Sequence, residues 1–195
     1  MDEMVRNFIH MLNVAGVHLI RPILYNLAMK KGYMHITHPF GPLFREDSTI
    51  LILGSFPSVK SREEMFFYGN VRNRFWSVIS AVFGEAAPVT TEQKKEFLYR
   101  NRIALYDVIE ECDILGSSDS SIRNVIPSDI SSILEQTEVT RVFTNGKTAY
   151  SLYQKLIYPL TGMNSVYLPS TSPANAAWSM DELITEWRKA ITENT

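Results

Sequence analysis

Ile50, Leu51, Ile52 and Leu53 are four consecutive apolar residues that stop at Gly54, and this run limits the fold more than any other stretch of the chain. It is apolar on both faces, carries β-branched residues at alternate positions and is too short for a core helix, so it reads as a strand buried between helix layers. Ligands of open α/β sheets bind outside the carboxyl ends of such strands, which marks Gly54–Ser58 as functional before any side chain is considered. From Leu51 to Trp76 the chain reads LILGSFPSVKSREEMFFYGNVRNRFW, a glycine and proline turn followed by aromatics, amides and arginines.

The punctuation downstream is that of alternating strands and helices. Short β-branched or aromatic runs predict strands at Thr49–Leu53, Ile103–Tyr106, Arg141–Thr144 and Ser165–Leu168. Helical patterns fall at Asn73–Phe83, Thr91–Asn101, Pro127–Gln136, Gly146–Leu156 and Ser179–Thr192, with Thr90 and Ser179 as N-caps. The alternation implies an α/β fold, a parallel sheet with right-handed crossovers and helices on both faces. Gly116–Ser121, GSSDSS, reads as a polar surface loop.

With 195 residues, 45% hydrophobic and 21% charged, the chain can bury one sizeable core. Residues 34–195 are assigned to that domain. In residues 1–33, Phe8, Met11, Leu12, Ala15, Leu19, Ile23 and Leu27 recur at helical spacing around an interrupting Pro22, which predicts an N-terminal helical extension packed on the domain. An upstream extension before a start at Met34 is the alternative. Asp2, Glu3, Arg6 and Arg21 fit a signal peptide poorly, and no apolar run approaches a membrane span, so no membrane partner is expected.

The single cysteine, Cys112, excludes an internal disulfide framework, a cysteine-rich zinc site and a cysteine-held iron–sulfur cluster, and it fits an intracellular, cytoplasmic setting. His10, His18, His35 and His38 all precede the first core strand and form no metal-ligand spacing, so neither a metal nor another cofactor is expected. A formal charge of −2 gives no overall basic field, and nucleic-acid binding would have to come from a local patch.

Three loops should converge at the carboxyl edge of the sheet: Gly54–Arg74, Asp107–Arg123 and Leu168–Ala177, the last reading LPSTSPANA. Ser170, Thr171, Ser172 and Asn175 supply hydroxyls and an amide beside prolines that stiffen the loop. Such a loop can grip a phosphate backbone, or it can simply turn the chain into the last helix.

GSFPS, then FFYGNVRNRFW, ALYDVIEEC, a strand ending in TNG and finally LPSTSPANA together resemble the uracil-DNA glycosylase superfamily, and within it the DNA-deoxyinosine, or hypoxanthine-DNA, glycosylases. The resemblance runs from about His38 to Trp187, with HPFGPLF as its entry segment. It implies a three-layer αβα sandwich with a four-stranded, mainly parallel central sheet. It also implies a monomeric enzyme that hydrolyses the N-glycosidic bond of a deaminated base flipped out of DNA, in base excision repair.

Glycosidic cleavage builds positive charge on the sugar and negative charge on the leaving base, and it needs a placed water. Many relatives hold that water with a polar residue in the first loop, where this chain has Phe56. The resemblance transfers the role to Asn73, whose amide offers both a donor and an acceptor; a helix N-cap is its other reading, and Asn70 is the rival candidate. Gly54, Ser55, Phe56, Pro57 and Ser58 would form the base pocket, the small Ser58 leaving room for a purine. Phe67 or Tyr68 would stack on the flipped ring, although Phe67 equally suits the core. Asp107 stands where relatives read the base, and a carboxylate accepts the N1 proton of hypoxanthine that adenine lacks; a capping or surface Asp is the alternative.

Lys60, Arg72 and Arg74 are the DNA-contact candidates with Ser170, Thr171, Ser172 and Asn175, and Lys147 follows the third strand. Leu168 replaces the histidine that opens the last motif of uracil-specific relatives, which argues against efficient uracil excision. Uracil- or xanthine-directed excision, a non-catalytic nucleic-acid-binding domain, and a small-ester or phosphate hydrolase with a Ser58–Lys60 pair are the other readings.

Overall fold

A computed structural model describes residues 32–192. The extension expected over residues 1–33 lies outside the described residues apart from Gly32 and Tyr33, as do His10 and His18. In chain order the first half contains β1 (Met34–Thr37), β2 (Ile50–Gly54), α1 (Val59–Glu64), α2 (Phe75–Val82), α3 (Thr91–Arg100), β3 (Ile103–Asp107) and β4 (Ile109–Ile114). A 3-10 turn at Asp119–Ser121 leads to β5 (Arg123–Pro127), α4 (Ile130–Glu135), β6 (Arg141–Asn145), α5 (Lys147–Leu156), α6 (Tyr158–Thr161), β7 (Ser165–Leu168) and α7 (Met180–Thr192).

The four predicted strands pair in parallel in the order β3-β2-β6-β7, flanked by helices. β2 is central, and every one of its residues is buried because it is covered on both faces. The chain leaves β2 for β3 on one side and later returns to β6 on the other. The carboxyl ends of β2 and β6 therefore lie at a topological switch point, where an open α/β sheet leaves a crevice.

A second sheet, antiparallel and in the order β1-β4-β5, was not legible in the sequence. The stretch expected to be a loop, Asp107–Arg123, contains all of β4. Ile109, Cys112 and Ile114 point inward, but register shifts between Ile109 and Glu111 and between Glu111 and Asp113 break the alternation of period two. This sheet carries the GSSDSS segment back toward the crevice, so that segment is more than a surface loop.

Helix starts follow their caps. Thr90 accepts from the Gln93 backbone N–H while the Gln93 side chain reaches back, a complete capping box. Ser179 and Glu182 make the same reciprocal pair at α7. α4 begins at Ile130 rather than Pro127 because Pro127 stays in β5 and Asp129 caps the helix.

α2 and α7 pack together through Phe75 and Trp187, both fully buried, with ring centroids 5.9 Å apart. Trp187 Nε1 also donates to the carbonyl of Pro169 at 3.0 Å, which ties the last helix to the last loop. Replacing Trp187 by Phe leaves that buried carbonyl unpaired. The expected loss is about 1–3 kcal/mol, read as a lower urea midpoint at unchanged slope.

Candidate active site

The ends of β2, β3, β6 and β7 open into a cleft of about 610 Å³. Its walls come from Gly54–Ser58, Phe67–Asn73, the GSSDSS turn, the start of α5 and the loop after β7. Volumes of this order are typical of small-ligand sites.

Two glycines let backbone segments close in. A Cβ on Gly54 would sit 2.2 Å from Asp107 Oδ1, so only glycine allows the carboxylate to lie against the end of β2. Gly146 has φ of 102°, and a Cβ there would meet Ser170 Cβ at 3.0 Å, so the TNG glycine lets the last loop approach α5.

Between these segments runs a buried chain of hydrogen bonds. Asn145, at the end of β6, accepts from the Thr171 backbone N–H at 3.0 Å and donates through Nδ2 to Thr171 Oγ1 at 2.9 Å and to the Tyr68 hydroxyl at 3.0 Å. The Thr171 hydroxyl then donates to Asn73 Oδ1 at 2.9 Å, and the Phe75 N–H donates to the same oxygen at 3.0 Å. Asn73 precedes the N-cap residue Arg74, so its oxygen serves the first N–H of α2 from one position outside the helix, and the residue also lines the cleft. Both lone pairs of Oδ1 are occupied, so Asn73 offers incoming molecules only the N–H groups of Nδ2.

Asp107 lines the cleft with its side chain 8% exposed, and its Oδ2 lies 3.0 Å from Nε2 of a fully buried His38. Tyr68 also lines the cleft, but its ring is stacked on Phe75 at 3.8 Å, so that face is closed to a flipped base. Burial and the nearby Asp107 charge push the Tyr68 phenol far up from its ordinary range, and it stays neutral. Phe67 is 3% exposed and packs edge-on against Phe40, so it is a core residue whose ring also reaches the cleft wall.

The remaining candidates divide. Ser55, Phe56, Pro57, Ser58 and Asn70 line the cleft, as do Ser170, Ser172 and Asn175. Ser58 Oγ caps α1 by accepting from the Ser61 N–H, and Asn70 Oδ1 accepts from the Arg72 N–H. Thr171, expected to face DNA, is fully buried and works inside the hydrogen-bond chain. Arg74 is likewise turned inward: its guanidinium donates to the carbonyls of Ser172, Asn175 and Trp178, fastening LPSTSPANA to the start of α2. Arg72 is exposed, and Lys60 is exposed and paired with Glu63 at 2.9 Å outside the cleft. With Lys60 so engaged and Ser58 capping, no Ser58–Lys60 nucleophile pair forms.

Sequence reading missed Asn145 and Asp119 as cleft residues. A polar residue closing a buried parallel strand just before a glycine was the available signal for Asn145. Asp119 Oδ2 accepts from Ser55 Oγ at 3.0 Å, and Arg62 spans from the Pro57 carbonyl to that of Gly116, so the GSSDSS turn is fastened over the cleft. No such contact is visible as a sequence pattern.

A buried parallel sheet whose switch-point cleft combines a carboxylate, a fixed amide and a hydroxyl-rich loop defines a class, and residues 42–193 match the model of the uracil DNA glycosylase superfamily. The chain belongs to that superfamily. A curated relative from Methanosarcina acetivorans named hypoxanthine DNA glycosylase is 34% identical over 154 residues, covering 78% of this chain and 96% of the relative. Another of the same name, from Methanosarcina barkeri, is 30% identical over 138 residues, covering 70% and 86%. A solution NMR structure of a Methanosarcina acetivorans protein titled a uracil DNA glycosylase superposes with a TM-score of 0.69 at 33% identity, covering 81% of this chain and 96% of the other.

The Arg74 geometry predicts that Arg74→Met destabilises the fold by about 1.5–3 kcal/mol through lost charge-assisted hydrogen bonds. The salt dependence of duplex binding should keep its slope, whereas loss of a phosphate contact would reduce that slope by about 1. Thermal melting and binding titrations across a salt series check both.

Proposed function

We propose that the protein is a DNA glycosylase that excises hypoxanthine from deoxyinosine in DNA, by hydrolysis of the N-glycosidic bond of a flipped-out nucleotide. The observation that carries this reading is Asn73, held at the cleft with its oxygen occupied and its Nδ2 open. The names of the two Methanosarcina relatives point to the same lesion.

The transition state is oxocarbenium-like and strongly electrophilic, so the attacking water must be positioned more than deprotonated. In this reading Asn73 Nδ2 donates to the water oxygen and leaves its lone pair aimed at the sugar. Asp107 accepts the N1 proton of hypoxanthine. An adenine ring would present a lone pair to that carboxylate, and two acceptors face to face are rejected. Phe67 supplies an aromatic edge of the base pocket. Ser170, Ser172 and Asn175 form the loop against the strand, while Arg72 and Lys147 provide the local positive charge.

Hypoxanthine pairs poorly, which lowers the cost of flipping and suits a protein with net charge −2. Leu168 is fully buried where uracil-specific relatives carry a base-stabilising histidine, so uracil should be the poorer substrate.

Asn73→Ala should lower the single-turnover rate of base release from an inosine duplex about 100-fold, the scale of losing one fixed donor to the reacting atoms. Affinity for the duplex should fall far less than the rate, since Asn73 meets water and not the base, although Thr171 and the Phe75 N–H lose their acceptor. Unchanged turnover would remove Asn73 from the reaction. A panel of duplexes carrying hypoxanthine, xanthine or uracil should rank hypoxanthine first; preference for uracil overturns the assignment.

A further inference from the structure

His38 is a buried ring that the proposed reaction does not touch. Its side chain is fully buried, and its ring centroid lies 4.6 Å from Phe40, 4.8 Å from Tyr106, 5.9 Å from Phe56 and 6.4 Å from Phe67. Among the described residues Nδ1 has no hydrogen-bond partner, and the only polar contact of the ring is Nε2 with Asp107 Oδ2 at 3.0 Å. The backbone N–H of His38 donates to the Glu110 carbonyl at 2.7 Å, which fixes the ring's origin against the second sheet.

These contacts assign the proton. If the Asp107 carboxyl were protonated and donated to Nε2, the imidazole proton would sit on Nδ1 with no acceptor, and buried orphan donors are rarer than under-used acceptors. With the proton on Nε2, the ring donates to Oδ2, and the unused atom is only a lone pair. Oδ1 remains, lying against the Cα of Gly54 at the base pocket. Tyr68, Tyr106 and Asp119 are the other ionisable groups that sense Asp107, with Glu110 reaching Tyr106. Burial keeps both phenols neutral, and Lys147 lines the same cleft. His38 is the group in direct contact.

We infer that His38 is a positioning residue for base selection: its Nε2–H occupies Oδ2 of Asp107 and fixes Oδ1 as the acceptor at the pocket, so that the pocket takes a base edge bearing a proton and refuses one bearing a lone pair. This rests on the base-reading role proposed for Asp107. Without that donor Oδ2 is left unpaired among the aromatic rings and the carboxylate is free to turn, so Oδ1 is no longer held toward the base.

The test compares His38→Phe, His38→Gln and Asp107→Asn in single-turnover excision of hypoxanthine and of adenine from matched duplexes. His38→Gln keeps an N–H donor near the Nε2 position, and it should stay within about threefold of the parent in kcat/KM. His38→Phe should lose about tenfold or more with hypoxanthine, and its discrimination against adenine should weaken by a similar factor. No loss by His38→Phe, or a loss that leaves the hypoxanthine-to-adenine ratio at the parent value, overturns the inference. If His38→Phe fails to fold, His38→Gln decides: loss of hypoxanthine excision beyond tenfold with a normal melting temperature also overturns it. Asp107→Asn separates the two levels, because parent-like hypoxanthine excision by Asp107→Asn removes the base-reading role itself. Loss by Asp107→Asn beside a parent-like His38→Phe removes only His38.

Discussion

The clasp between Asn145 and Thr171 is the constraint on which the rest of the cleft depends. The Asn145 amide pairs with both the N–H and the hydroxyl of Thr171, much as a neighbouring strand would, and so extends the order of β6 into a loop that has no sheet of its own. Thr171 spends its hydroxyl proton on Asn73, and Asn73 shares its oxygen with the N–H of Phe75. Residues far apart in the chain are thereby fixed by a few bonds, buried at Asn145 and Thr171 and part-buried where Asn73 reaches the cleft. In such surroundings a satisfied network is rigid, and a half-satisfied one costs each orphan its full desolvation. An apolar replacement at any link would therefore disturb its neighbours as well as itself.

Much of the basic charge around the cleft is also committed to architecture. Arg74 gathers three carbonyls of the last loop, and Arg62 bridges two carbonyls across the cleft mouth. Carbonyls bunched at a tight turn point their negative ends together, and a planar cation with several N–H groups neutralises them with defined geometry. That arrangement stabilises the loops but withdraws those charges from any phosphate. A ligand strand then meets hydroxyls, amides and few free cations, so shape and hydrogen bonding must carry more of the recognition than long-range attraction.

β2, β3 and β6 were legible because burial forces their composition, and the edge strand β7, with Val166 and Tyr167 exposed, was found to the residue from its β-branched and aromatic run. The bulged strand β4 was not, since its carboxylates and register shifts hide the inward residues. Within the site, residue type was legible and direction was not. Thr171 and Arg74 belong to motifs that could equally face a ligand or the interior, and only the path of the backbone decides. The coupling of His38 to Asp107 spans 69 positions and has no local trace, for a histidine beside a proline says nothing about what its ring will meet.

Two polar groups line the cleft, and each has had one of its possible roles removed by a buried partner. Thr171 and Phe75 occupy the acceptor of Asn73 and leave a donor; His38 occupies one oxygen of Asp107 and leaves an acceptor. Asparagine is ambiguous by nature, and so is a carboxyl group that can gain a proton. A site built from them becomes selective only when that ambiguity is resolved before a ligand arrives. The fold resolves it from behind: the His38 side chain and Thr171 are fully buried, while the Asp107 side chain keeps 8% exposure and Asn73 is part-buried at the cleft.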